Sequence, residues 1–164
     1  MKVRIAGLIN DSIVDGPGIR LTVFAQGCPH NCIGCHNPAT HDMNKGRLED
    51  VDYILKVADE NPLLNGITLS GGEPFEQPDG MGEIAKKAKE RGLSVVVYSG
   101  YTWQELMENK KDSLKILNYA DYLIDGRFIL EKKSYELRFK GSENQRIIDV
   151  KKSLESGVVV ETDF

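Results

Sequence analysis

Apolar and polar positions along the chain change period several times, and each change marks an element. Ile19-Arg-Leu-Thr-Val-Phe-Ala25 alternates and is rich in β-branched and aromatic residues, so it reads as a strand. From Leu48 to Glu60 the period becomes helical: Leu48, Val51, Ile54, Leu55 and Ala58 share one stripe, with acids in the first turn. Gly66-Ile-Thr-Leu-Ser70 predicts a short strand ending in Gly71-Gly72. A helix is expected from about Pro78, a residue suited to a first helical position, through Ile84, Ala85 and Ala88 to a stop at Gly92. Leu93-Ser-Val-Val-Val-Tyr98 has the pattern of a buried strand and ends in Ser99-Gly100. Helical segments over Trp103 to Glu108 and Ser113 to Ala120 precede a last predicted strand, Tyr122-Leu-Ile124, which ends at Asp125-Gly126.

This βαβαβ order predicts an α/β fold with a parallel sheet and right-handed crossovers. In such architectures the functional site gathers at the carboxyl ends of the strands. Four polar, glycine-containing segments are expected to meet on that rim: the loop after the first strand, Ser70 to Glu73, Ser99 to Tyr101, and Asp125 to Arg127. A length of 164 residues with 40% apolar content fits one domain over residues 1–164, and there is no repeat, linker or low-complexity tract.

All three cysteines fall in the first of those loops, Cys28-Pro-His-Asn-Cys32-Ile-Gly-Cys35. Three thiolates can share one centre and leave a coordination position open, and thiolates suit zinc, copper(I) and iron–sulfur clusters. A zinc knuckle would need a histidine as fourth ligand, and His30, His36 and His41 all lie in or beside the loop. Cys32-Ile-Gly-Cys35 also has the spacing of a redox pair, although Cys28 would then have no role. An odd cysteine count argues against a disulfide framework. The net charge of −4 supplies no basic stripe for phosphates, which points away from nucleic acid. Met1-Lys-Val-Arg-Ile-Ala-Gly lacks a secretory apolar run, and no segment approaches the ~18 apolar residues of a membrane span, so a cytoplasmic protein off the membrane is expected.

Cys28-x3-Cys32-x2-Cys35 after the first strand, followed by Gly71-Gly72-Glu73-Pro74 after the second, resembles the radical S-adenosylmethionine superfamily. Asp15-Gly-Pro-Gly-Ile-Arg20 and Cys35-His-Asn37 are similar to its activating enzymes for glycyl-radical enzymes. Thr68 to Phe75, Tyr98 to Thr102, Asp125-Gly-Arg-Phe128 and Gly141 to Asp149 resemble the branch serving the anaerobic (class III) ribonucleoside-triphosphate reductase. The segments span about residues 10 to 150. The resemblance implies a partial (β/α) barrel with a mostly parallel sheet, since a full barrel of ~250 residues exceeds this length.

The resemblance further implies a [4Fe-4S] cluster on Cys28, Cys32 and Cys35, its fourth iron left to the amino and carboxylate groups of S-adenosylmethionine. Ser70, Gly71 and Gly72 would bring backbone close to the methionine part, with Glu73 accepting from its amino group. Ser99 and Gly100 match a segment that meets the carboxylate or ribose, and Asp125 matches an acid beneath it. Asp15 and Arg20 are expected at the entrance for the partner's glycine loop. At Gly34 relatives often carry an aromatic that supports the adenine, so backbone polar atoms are expected to take its part. Val97 replaces the acid of a cation site found in larger relatives, and Lys140 stands where an arginine is expected. The implied partners are the reductase's glycyl-radical subunit and a low-potential donor such as flavodoxin or ferredoxin. The alternatives are the activase of another glycyl-radical enzyme such as pyruvate formate-lyase and, in a different class, a zinc-knuckle or iron–sulfur electron-carrier protein.

Overall fold

Alternation with period two sets the two faces of the sheet apart. The computed structural model describes residues 1–164, and four strands form its parallel centre: β2 (Arg20–Ala25), β4 (Gly66–Gly71), β5 (Ser94–Tyr98) and β6 (Tyr122–Asp125). In register across it, Leu21, Ile67 and Val95 form one row, and Val23, Leu69 and Val97 the next. These residues are fully buried against α1 (Val51–Asp59), α2 (Pro78–Glu90), α3 (Trp103–Glu108) and α4 (Lys110–Leu117). The intervening rows, Thr22–Thr68–Val96 and Arg20–Gly66–Ser94, face the other way. All the crossover helices therefore lie on one side, and the other side is left for the site.

Antiparallel strands flank this centre, so the sheet is mixed and open. Its order is β3-β1-β2-β4-β5-β6-β7, with β1 (Lys2–Ser12), β3 (Arg47–Asp50) and β7 (Arg146–Asp149) all antiparallel to their neighbours. The expectation of an α/β fold with a parallel core holds, and the sheet does not close into a barrel. No helix is long and apolar enough to cross a membrane.

One local expectation is corrected, and two regions without predicted elements gain them. The helix expected from Leu48 begins at Val51, because Arg47 to Asp50 pair with Lys2 to Ile5 as an edge strand and Leu48 is 57% exposed. Asp50 caps the helix, its side chain accepting from the Asp52 amide at 3.0 Å. The regions before Ile19 and after Arg127 supply β1, β7 and α5 (Val150–Ser156). Val3 and Ile5 of β1, which lies between β3 and β2, join the core, and α5 is capped by Asp149 and ends at left-handed Gly157.

Candidate functional site

The three cysteines leave the end of β2 on a loop that is tied at its neck. Gly27 and Cys28 donate backbone bonds to Thr40 and His41 at 2.7 and 3.2 Å, and the Gln26 amide donates to the carbonyls of Ala39 and Asp42. Within the loop Cys35 donates its amide to Cys32, and the Asn37 amide points at the Cys35 sulfur at 3.4 Å. All three thiols are free and half-buried, and burial pushes Cys28 up to about 11. No three His, Cys, Asp or Glu side chains are gathered closely enough to share a single metal ion.

The cysteines open on a cavity of about 630 Å³, a volume suited to a cofactor-sized ligand. Its opposite wall is Ser70-Gly71-Gly72 and Tyr98-Ser99-Gly100, at the carboxyl ends of β4 and β5, as the strand order predicts. Gly126, Phe128, and the strap Leu137 to Gly141 with Gln145 complete it, and Ile13 to Asp15 stand at one side. The strap is fastened from below, where the Tyr98 hydroxyl donates to the Phe139 carbonyl at 2.7 Å. Burial pushes the Tyr98 pKa up, keeping that donor in place. Gln145 accepts from the Gly141 amide at 2.7 Å and donates to the Gly126 carbonyl at 2.9 Å, which gives the Gly141 to Asp149 segment a structural task.

The paired glycines are required by close packing against the cysteine loop. Gly72 donates to the Ala25 carbonyl at 2.7 Å and Glu73 to the Gly27 carbonyl at 2.8 Å. A β-carbon at Gly72 would lie 2.4 Å from the Gly27 oxygen, and one at left-handed Gly71 would lie 2.6 Å from the Ala25 nitrogen. The turn and the base of the cysteine loop are thus one packed unit.

Several expected contacts are placed differently. Glu73 does not line the cavity: it is fully buried behind the glycines, and its carboxylate accepts from His30 Nε2 (2.7 Å), Ser99 Oγ (2.9 Å) and the amides of Gly100 (2.8 Å) and Phe75 (3.0 Å). Asp125 is also turned away, because strand alternation carries its side chain toward α3. There it accepts from the Trp103 amide at 2.8 Å and pairs with Arg146 at 2.6 Å. Arg20 is fully buried at the amino end of β2, so it cannot shape an entrance, whereas Asp15 does line the cavity and accepts from Ser12 and Thr22.

Gly34 is left-handed, with φ of 76°, and a side chain there would crowd Leu130 and Phe128. The aromatic surface nearest that position is Phe128 itself, a cavity wall whose ring meets that of His36 at 5.1 Å. Phe128, Tyr98 and the partnership of His30 with Glu73 are the parts that sequence reasoning missed. Phe128 and Tyr98 stand in the segments Asp125-Gly-Arg-Phe128 and Tyr98 to Thr102, and His30 is a candidate zinc ligand, but nothing in the sequence gives these side chains the places they take.

Comparison with known proteins identifies the family. The family described as "4Fe-4S single cluster domain" matches residues 14–148. The chain is 34% identical over 143 residues to the anaerobic ribonucleoside-triphosphate reductase-activating protein of Escherichia coli K12, covering 81% of this chain and 90% of that protein. Proteins of the same description from Vibrio cholerae (33% identity, 82% and 90% covered) and from Enterobacteria phage T4 (30% identity, 82% and 86% covered) are also similar.

Proposed function

This chain belongs to the family of anaerobic ribonucleoside-triphosphate reductase-activating proteins, with a 4Fe-4S single cluster domain, and from that premise we propose that it installs a glycyl radical on such a reductase. One observation carries the reading: three free cysteines face a glycine-rich wall across a cofactor-sized cavity. The donors suit an iron–sulfur cluster, since they are all thiols and number one fewer than its irons. A zinc knuckle fits less well, because no histidine is gathered with the cysteines closely enough to share a single metal ion.

A four-iron cluster held by Cys28, Cys32 and Cys35 would supply the single electron for reductive cleavage of S-adenosylmethionine, chemistry that would remove one hydrogen atom from a glycine α-carbon of the reductase. The residues of this chain bind, orient and shield. Cys28, Cys32 and Cys35 hold the irons, and the Asn37 amide donates to the Cys35 sulfur, a contact of the kind that tunes cluster potential. Ser70, Gly71 and Gly72 present backbone and hydroxyl groups to the methionine part, and Ser99 and Gly100, whose hydroxyl and amide are committed to Glu73, hold the wall beside them. Glu73 and Asp125 stiffen that wall from behind, and Phe128 offers an apolar face to the adenine. The strap from Leu137 to Gly141 forms part of the cavity wall and would help limit water. A low-potential donor such as flavodoxin or ferredoxin would deliver the electron.

The test is anaerobic reconstitution with iron and sulfide, followed by reduction with S-adenosylmethionine and a class III reductase. The expected result is 5′-deoxyadenosine together with a glycine-centred paramagnetic signal on the reductase. A colourless protein holding one zinc, or activation of pyruvate formate-lyase but not the reductase, would overturn the reading.

A further inference from the structure

We propose that His30 is a positioning residue that sets the cysteine loop in register with the cofactor wall through its bond to Glu73, an inference that rests on the functional reading above. Glu73 is a hub with no solvent exposure, and its partners are unequal. Ser99, Gly100 and Phe75 bind it from the wall and from its own turn, at 2.8 to 3.0 Å. His30 alone reaches it from the cysteine loop, at 2.7 Å.

Elsewhere the loop is held at its neck, by the bonds from Gly27 and Cys28 to Thr40 and His41, while Ile33 between the second and third cysteines is 80% exposed. Between Cys28 and Cys35 the His30–Glu73 bond is the one hydrogen bond that crosses to the opposite wall.

The surroundings of the ring agree with a fixed position. Its side chain is 4% exposed, and its edge meets Tyr101 at 4.5 Å and 78°. Tyr101 is itself tied to Glu76. A β-carbon at Gly100 would lie 2.3 Å from the imidazole Cδ2, so that position must stay bare for the ring to pack. Two elements of the wall thus make room for a side chain that belongs to the cluster loop. The backbone bonds from Gly72 and Glu73 to Ala25 and Gly27 fix the base of the loop against the turn, and the His30 contact orients the cysteine-bearing part beyond that base, and with it the fit of a molecule that must touch both.

The test compares wild type, His30→Ala and His30→Gln, which keeps an N–H donor, all reconstituted anaerobically. Iron per chain is measured first, then the change that added S-adenosylmethionine makes in the reduced cluster's paramagnetic spectrum, as a titration. His30→Ala is expected to keep its iron and its circular dichroism while the half-saturating concentration rises about tenfold, the effect usual for a group that orients a ligand shell from behind. His30→Gln should recover most of that loss, which a role in stability alone would not predict. An unchanged titration in His30→Ala overturns the proposal. So does tighter binding, which would mean that His30 only blocks Glu73, and so does loss of iron from both variants, which would make His30 a ligand. If the wild type itself gives no response, the functional reading fails and this inference falls with it.

Discussion

The two faces of the sheet are built from the same strands by opposite means. The helix-covered face is a single apolar cluster in which Leu21, Val23, Ile67, Leu69, Val95 and Val97 meet residues such as Ile54, Met81, Ile84 and Leu117. The other face buries a cation. Arg20 donates to five neutral oxygens, on Thr68, Pro17, Ile67 and twice on Ser94, at 2.7 to 3.0 Å, and Gly66 leaves the room its guanidinium needs. Desolvation lowers its pKa to about 10, so it remains charged at neutral pH. Burial of area holds the first face, whereas the second joins a small apolar cluster of Val96, Ile124 and Ile147 to a buried polar network. An apolar surface accepts repacking that conserves volume, whereas the polar one is specific to its geometry and can end in a binding site.

This contrast can be broken by substitution on either side. Leu69→Ala leaves a cavity in the apolar face and should cost about 3 kcal/mol, read from the midpoint of urea unfolding. Arg20→Lys keeps the charge but cannot reach five oxygens, and should cost about 2 kcal/mol through acceptors left unpaired. A cost at or below zero for the second would show that this face is also held by packing.

The smaller effects sharpen the comparison at its edges. Glu105 on α3, paired with Arg127 at 2.9 and 3.0 Å, is lowered to about 2, first by that bond and then by the Thr102 amide. Its folded pKa lies below its unfolded value of about 4.5, so its stabilisation is present above pH 4.5 and is lost as pH falls through 2. The pair is largely exposed, so Arg127→Met should remove only about 0.5 kcal/mol at pH 7 and distinctly less at pH 2, where Glu105 is half protonated, by thermal melts at the two pH values. Smallest of all, Cys35→Ala should change the stability of the metal-free protein by less than about 0.5 kcal/mol, because the loop contributes little to either face. The same variant should lose its cluster, seen by iron analysis and visible absorption.

The parallel centre was legible because its signals are local. Strands such as Leu93 to Tyr98 carry β-branched runs, and Pro78 and Gly92 mark the ends of a helix region that the structure closes at Glu90. The edges were not legible. Arg47 to Asp50 has no strong strand pattern and is a strand only because β1 lies beside it, and that partner is more than forty residues away in sequence. In the site, the cysteines and the glycine pairs were visible because their chemistry or backbone freedom is written in the residue type. The direction of an acidic side chain is not, and Glu73 and Asp125 both turned out to face inward.

From residue order and type alone follow the α/β succession of elements, the three-thiol loop after the first parallel strand, and the convergence of four turns on one rim. Each depends on periodicity or on chemistry that a residue carries wherever it sits. Folding added the antiparallel edges, the buried Arg20, and the placement of Glu73 between His30, Ser99, Gly100 and Phe75. Those features arise from contacts between segments far apart in the chain, where a buried polar group takes whichever donor or acceptor the packed strands bring within reach.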